Sequence, residues 1–169
     1  MDAEIRKARK TDAEQIGNVH YKAWIETYTG LLPEDYLVTR SAEKSADLFR
    51  KTGCRNLVVA EIKGEIVGFC GWGEFRDSTS EECIGEIQGI YVLDAYKRKH
   101  IGQRLMCYAL EQLIKNNYQK AGLWVLDTNK NAIRFYERMG FEHNGATKKA
   151  NLGQTITELL YIKRLGEIQ

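Results

Sequence analysis

The segment Tyr91-Val92-Leu93-Asp94-Ala95-Tyr96-Lys97-Arg98-Lys99-His100-Ile101-Gly102-Gln103-Arg104-Leu105 runs from an apolar strand through a basic turn into a helix. Amides at a helix N-terminus have no partner inside the helix and sit at the positive end of its dipole, so such a turn attracts phosphate. Lys97, Arg98, Lys99 and Arg104 add charge around it. Taken alone, the segment serves equally well as a phosphate cradle or as a solvated basic turn in which Gly102 eases packing. Just upstream, Gly85-Glu86-Ile87-Gln88-Gly89-Ile90 sets a carboxylate inside an otherwise apolar strand. A charge there is costly unless it faces a cleft or is paired, which makes Glu86 a candidate base. Further on, Leu123 to Glu142 joins an apolar strand, a turn bearing Asn129, and a short helix carrying Phe135-Tyr136-Glu137. GxGxxG and GxxxxGK[ST] are both absent, which disfavours dinucleotide and nucleoside triphosphate folds.

These residues need a scaffold, and the hydrophobic pattern supplies one. Ile5 to Ala8 reads as a short strand, and Thr11-Asp12-Ala13-Glu14 as a capping box opening a helix through Ile16, Val19, Ala23 and Thr27 to Gly30. Pro33 can start a second helix running through Tyr36 and Leu37 toward Phe49. Leu57–Ile62 and Ile66–Trp72 flank Lys63-Gly64-Glu65 as a hairpin. Arg76 to Glu82 is a polar loop, and Cys83 to Val92 a third strand, central by its apolar content. Ile101, Leu105, Ala109 and Leu113 form one helical stripe, with Met106, Leu110 and Ile114 beside it. Leu123–Leu126 is wholly apolar, as expected of a strand covered on both faces and parallel to its predecessor across a helical crossover. A short helix from Asn131 to Met139, closed by Gly140, and a strand from Thr155 to Ile162 complete the order. The expectation is one α/β domain over residues 1–169, with a mixed, mostly antiparallel sheet, a central parallel strand pair and helices on both faces.

Together the two segments resemble the GNAT superfamily of acyl-CoA-dependent N-acetyltransferases. The family's pyrophosphate turn reads R/Q-x-x-G-x-G/A, and its next block reads N-x-x-A-x-x-x-Y-E-x-x-G-F. The second block is matched at Asn129, Ala132, Tyr136, Glu137, Gly140 and Phe141. In the first, Gly102 keeps the pattern, Lys97 stands at the R/Q position, and His100 stands where the first glycine is usual. His100→Gly is expected to leave the fold intact and tighten acetyl-CoA binding, with a modest loss of stability from added backbone freedom.

The resemblance implies acetyl-CoA as cosubstrate. It would be held by the turn Lys97, Arg98, Lys99, His100, Ile101 and Gly102 with Gln103 and Arg104, by Val92 at the strand end, and by Asn129 and Ala132, with the pantetheine arm in a splay between two parallel strands. It also implies that Tyr136 protonates the departing thiolate, which suits a phenol of pKa about 10 facing a thiol near 8.5. Glu86 would take the amine proton directly or through water; a structural or substrate-binding carboxylate is the alternative. Trp24, Glu26, Tyr28 and Tyr36 resemble one wall of the acceptor cleft, where aromatics and a carboxylate could hold an ammonium. The acceptor is a primary amine of a small molecule, peptide or protein. The rival is a non-catalytic acyl-CoA-binding or regulatory module on the same fold.

Composition narrows the setting. Lys+Arg 25 against Asp+Glu 23 gives a net charge of +2, too little to hold the chain on nucleic acid or an acidic membrane. Met1 to Lys7 turns charged at once, without the apolar stretch of a secretory signal, and a cytoplasmic location is expected. Cys54, Cys70, Cys83 and Cys107 are too scattered for zinc, so no metal is expected, and they read as core thiols. A homodimer is compatible with all of this.

Overall fold

A computed structural model describes residues 2–77 and 83–166. Strands β1 (Glu4–Lys7), β2 (Leu57–Ile62), β3 (Glu65–Glu74), β4 (Ile84–Val92), β5 (Lys120–Leu126), β6 (Glu142–Asn151) and β7 (Thr155–Arg164) make one sheet in the order β1-β2-β3-β4-β5-β7-β6. All neighbours are antiparallel except β4 and β5. The apolar strand ending at Val92 is therefore central, and its parallel partner follows a crossover through α4 (Ile101–Lys115).

Strand periodicity explains the layers. Val58 and Val59 are neighbours in β2, point to opposite faces, and are both fully buried. Val58 joins the core under α4, with Leu105, Met106, Ala109 and Leu113. Val59 joins the core under α1 (Ala13–Tyr28) and α3 (Ala42–Thr52), with Ile16, Val19 and Phe49. Helices thus cover both faces. The two helices of the second layer touch backbone to backbone, because a Cβ on Gly17 would fall 2.5 Å from the Ala46 main chain. No described helix is long and apolar enough to cross a membrane.

Several local expectations are corrected. Thr11 does not cap α1: residues Lys10–Asp12 form a 3-10 turn, and buried Asp12 accepts the Arg9 N–H at 2.7 Å while pairing with Arg6 at 2.8 Å. With its carboxylate held by both, Asp12 stands at the N-cap of α1 without a side-chain bond into that helix. The helix expected from Pro33 toward Phe49 is broken into one turn, α2 (Glu34–Leu37), and α3. Extended Ser41 starts α3 by accepting the Lys44 N–H on its own hydroxyl at 3.2 Å, which is a strong N-cap. The pattern also left β6 unplaced, since nearly every side chain of this edge strand is exposed. Cys54 and Cys70 are core thiols, whereas Cys83 and Cys107 are exposed. The hairpin at Lys63-Gly64 forms as expected, both residues having positive φ (51° and 82°) as a two-residue turn requires. Of the polar loop, residues 78–82 lie outside the described residues.

A bulge in β4 sets which side chains reach the α1 face. Gly71 pairs with Gly89 and Trp72 with Ile87, so Gln88 is an extra residue on β4. Ile87 packs under α4, which turns Glu86 to the opposite face; without the extra residue Tyr91, five positions on, would point away from it. With the bulge, Tyr91 packs on the α1 side, against the groups around Trp24.

Candidate active site

The parallel pair is the first feature of the site. β4 and β5 are paired only at Ile84↔Lys120, Gly85↔Ala121 and Glu86↔Gly122. Beyond Glu86, β4 stays bonded to β3, and beyond Gly122, β5 stays bonded to β7, so the strands splay. The wedge opens toward the C-terminal ends of both strands, the usual side for ligands in such sheets. At its rim lie the start of α4 and the start of α5 (Lys130–Arg138).

The turn into α4 is a row of free donors. Arg98 and His100 both have φ of 59°, and the first amide of the helix to reach a carbonyl is that of Arg104, on His100, at 3.1 Å. Among the described residues, the N–H groups of residues 98–103 have no acceptor. Successive amides in this conformation form a concave nest for an anion. At Gly102 a Cβ would make ordinary contact, 3.5 Å from Phe135 and 4.0 Å from Val92, so packing does not require the glycine. The flanking cations are partly committed: Lys97 pairs with Asp94 at 2.5 Å, Arg104 pairs with Asp2 at 3.0 Å, and Lys99 lies 5.2 Å from the Tyr96 ring. The His100 ring turns toward Gln103, with Nδ1 and Oε1 3.3 Å apart. Backbone amides rather than side chains are the main donors here, and they fit a pyrophosphate.

On the other side of the rim, buried Asn129 is the N-cap of α5, its Oδ1 accepting the Ala132 N–H at 3.2 Å. That bond fixes the side chain and leaves its amide nitrogen to donate. Ala132 contributes its backbone to the cap, a role the sequence motif does not reveal.

Tyr136 projects from α5 between Phe135 and Phe141, with ring centroids at 5.6 and 6.2 Å. Burial, then the nearby Tyr28 phenol, pushes its pKa well above the ordinary value, so it remains protonated. Tyr91 is raised by burial and then by Tyr28 and Tyr136. The phenols of Tyr28, Tyr91 and Tyr136, from α1, β4 and α5, thus lie close enough to act on one another electrostatically. Tyr91 was not among the residues singled out from sequence, because its direction depends on the bulge.

Glu86 is 2% exposed and does not stand open to the cleft. Arg76 binds it three times: backbone N–H to Oε2 at 3.0 Å, Nε to Oε2 at 3.1 Å, and Nη2 to Oε1 at 2.6 Å. The cost of the buried charge is met by this pairing. Of the four or so lone pairs of a carboxylate, about one is left for an amine or a water. Nothing in the sequence pointed to Arg76, ten positions away in a polar loop.

The acceptor wall divides. Trp24, Tyr28 and Tyr36 come together, with Trp24 4.7 Å from Tyr28 and 6.1 Å from Tyr36. They pack with Leu32, Leu37, Leu126 and Ile156 beside Tyr91. Glu26 does not join them. Exposed on the same helix, it accepts the Asp94 N–H on Oε2 at 3.0 Å and so ties α1 to the turn below the amide nest.

Comparison with known proteins agrees with this geometry. Residues 20–141 match the model of the acetyltransferase (GNAT) family. An uncharacterised N-acetyltransferase of Archaeoglobus fulgidus is 38% identical over 138 residues, covering 79% of this chain and 88% of the relative. A spermidine N(1)-acetyltransferase of Thermoplasma acidophilum is 28% identical, over 84% of this chain and 89% of the relative. Among solved structures, an N-acetyltransferase of Thermoplasma acidophilum in complex with coenzyme A superposes with a TM-score of 0.75 at 22% identity, over 97% of this chain and 99% of the other. The strand splay, the amide turn and the matched motif residues thus have one common explanation, and the chain belongs to the GNAT acetyltransferase family.

Proposed function

We propose that this protein moves an acetyl group from acetyl-CoA directly to a primary amine of a small molecule, peptide or protein. The observation that carries the reading is the splay of β4 from β5 after Glu86, with an amide nest at its rim and a phenol cluster beside it. Acetyl-CoA, when bound, supplies a thioester carbon open to attack. The amides of residues 98–103 bind the pyrophosphate, and the Asn129 amide nitrogen donates to the pantetheine arm. The unpaired edges of β4 and β5 line that arm and exclude water from one side. Tyr136 holds a proton at its phenol oxygen and gives it to the departing sulfur, then regains one from solvent. The amine must lose its own proton to attack, and Glu86 accepts it, through water, on the lone pair that Arg76 leaves free. Trp24, Tyr28 and Tyr36 supply the apolar wall against which the acceptor lies.

The direct test is thiol release from acetyl-CoA across a panel of amines. Amine-dependent release with a matching acetylated product supports the proposal. Tight CoA binding without release from any amine would instead favour a binding module on the same fold.

A further inference from the structure

We infer that Arg40 receives an anionic group of the acceptor, so that the amine acetylated here carries its own carboxylate or phosphonate. The inference rests on the acetyl-transfer reading and deepens it. Arg40 lies between α2 and α3, half-buried, with its guanidinium carbon 4.4 Å from the centre of the Trp24 ring. Stacking on that ring holds the fork beside the aromatic wall.

Its charge is unmatched. No carboxylate lies within ion-pairing distance of it among the described residues. Nearby acids are already engaged: Glu43 with Arg50 at 3.0 Å, Asp35 with the Tyr36 N–H at 3.0 Å, and Glu158 with Lys148 at 3.7 Å. The other cations around the cleft are also paired, Arg76 with Glu86 and Lys148 with Asp77, both at 2.6 Å.

Arg40 also stands near the reacting end. Its charge acts on the phenols of Tyr28 and Tyr91, which pack with Trp24, and on His20, whose ring lies 5.0 Å from that of Tyr91. His20 is kept neutral chiefly by burial, so it does not compete for an anion. An amine aimed at the splay, with a carboxylate a few bonds away, can therefore meet a planar fork suited to bidentate hydrogen bonding. A polycation would bring like charge against it.

The test uses matched pairs that differ only in that charge: glycine and glycinamide, β-alanine and its amide, 4-aminobutyrate and its amide, with spermidine as the polycation. The readout is the acid-to-amide ratio of kcat/KM, compared between wild type and Arg40→Gln so that differences in amine basicity cancel. Arg40→Gln should lower that ratio about 10- to 100-fold, the range for losing hydrogen bonds to a charged group, and Arg40→Lys should restore part of it. Retained thermal stabilisation by CoA shows that the variants fold. An unchanged ratio in Arg40→Gln, or wild-type preference for spermidine over every acid, overturns the assignment. If no amine is turned over, the acetyl-transfer reading fails by that result, and the same pairs are read as ligands of the CoA-loaded protein. There the acid must raise the melting temperature more than its amide, and Arg40→Gln must abolish the difference. Equal shifts overturn the role of Arg40.

Discussion

Tyr136 and Glu86 are assigned opposite proton transfers and should fail differently. Tyr136→Phe keeps the ring among Phe135 and Phe141 and removes only the donor, so acetyl-CoA affinity should hold while turnover falls about 10²- to 10⁴-fold. Near wild-type turnover, with chemistry shown to be rate-limiting, would remove the phenol from the mechanism. Glu86→Gln keeps the shape but removes the acceptor, so its deficit should shrink as pH rises and more of the amine is already neutral. A deficit equal at every pH would leave Glu86 as a holder of Arg76 and of the loop behind it. Because Glu86 is buried and the Gln amide would set an N–H against a donor of Arg76, the change should also cost about 1–3 kcal/mol of stability. His20 supplies a test in acid. Burial first, and Arg40 second, lower its pKa from 6.5 to about 4. The unfolded chain takes up that proton near 6.5 and the folded chain only near 4, so acid favours unfolding between these values. Folding free energy should fall by on the order of 2–3 kcal/mol from this group as pH drops from 7 to 4. In His20→Gln the pH profile should be flatter over that window; an equally steep profile would place the titration elsewhere.

At the scale of elements, legibility followed the range of the forces involved. The α4 stripe, the apolar run in β5 and the Asn129-to-Phe141 block are local patterns, and each lies where the sequence places it. What was missed depends on distant partners: Arg6 on β1 holds the Asp12 carboxylate at the start of α1, and an extra residue in β4 swings Tyr91 toward the cleft. The Arg76–Glu86 clamp and the stacking of Arg40 on Trp24 likewise leave no periodic trace. Ser41 is different, since a serine ahead of Ala42-Glu43-Lys44 is a readable cap that breaks the longer helix. The turn into α4 also reverses an expectation about His100. Its φ of 59° is left-handed, a conformation that costs an L residue roughly 1–2 kcal/mol and glycine almost nothing. That relief outweighs the added freedom of the unfolded chain, so His100→Gly should raise stability, by up to about 1 kcal/mol. Because amides rather than the ring form the nest, CoA affinity should stay within about threefold. Denaturant unfolding and CoA titration check both; a tenfold loss of affinity would show that the imidazole touches phosphate.

At the scale of the molecule, a net charge of +2 spread over 25 cations and 23 anions gives no strong global field, so any attraction for a polyanion must be local. The local source is the turn from Lys97 to Arg104, where Lys97 and Arg104 are already shared with Asp94 and Asp2. Binding to the folded state alone at 100 times the dissociation constant stabilises by about 2.7 kcal/mol, which for a chain of this size raises the melting temperature by roughly 5–10 °C. The turn is exposed, so its charges are screened as the Debye length falls from about 10 Å at 0.1 M salt to about 3 Å at 1 M. The shift produced by a fixed CoA concentration should therefore shrink over that range, while the unliganded melting temperature, resting on two apolar cores, should move much less. Pantetheine, which enters the splay but lacks the phosphates, should give a smaller shift with little salt dependence. A shift equal for CoA and pantetheine at every salt concentration would remove the amide nest from cofactor binding, and no shift at millimolar CoA would remove the splay as well.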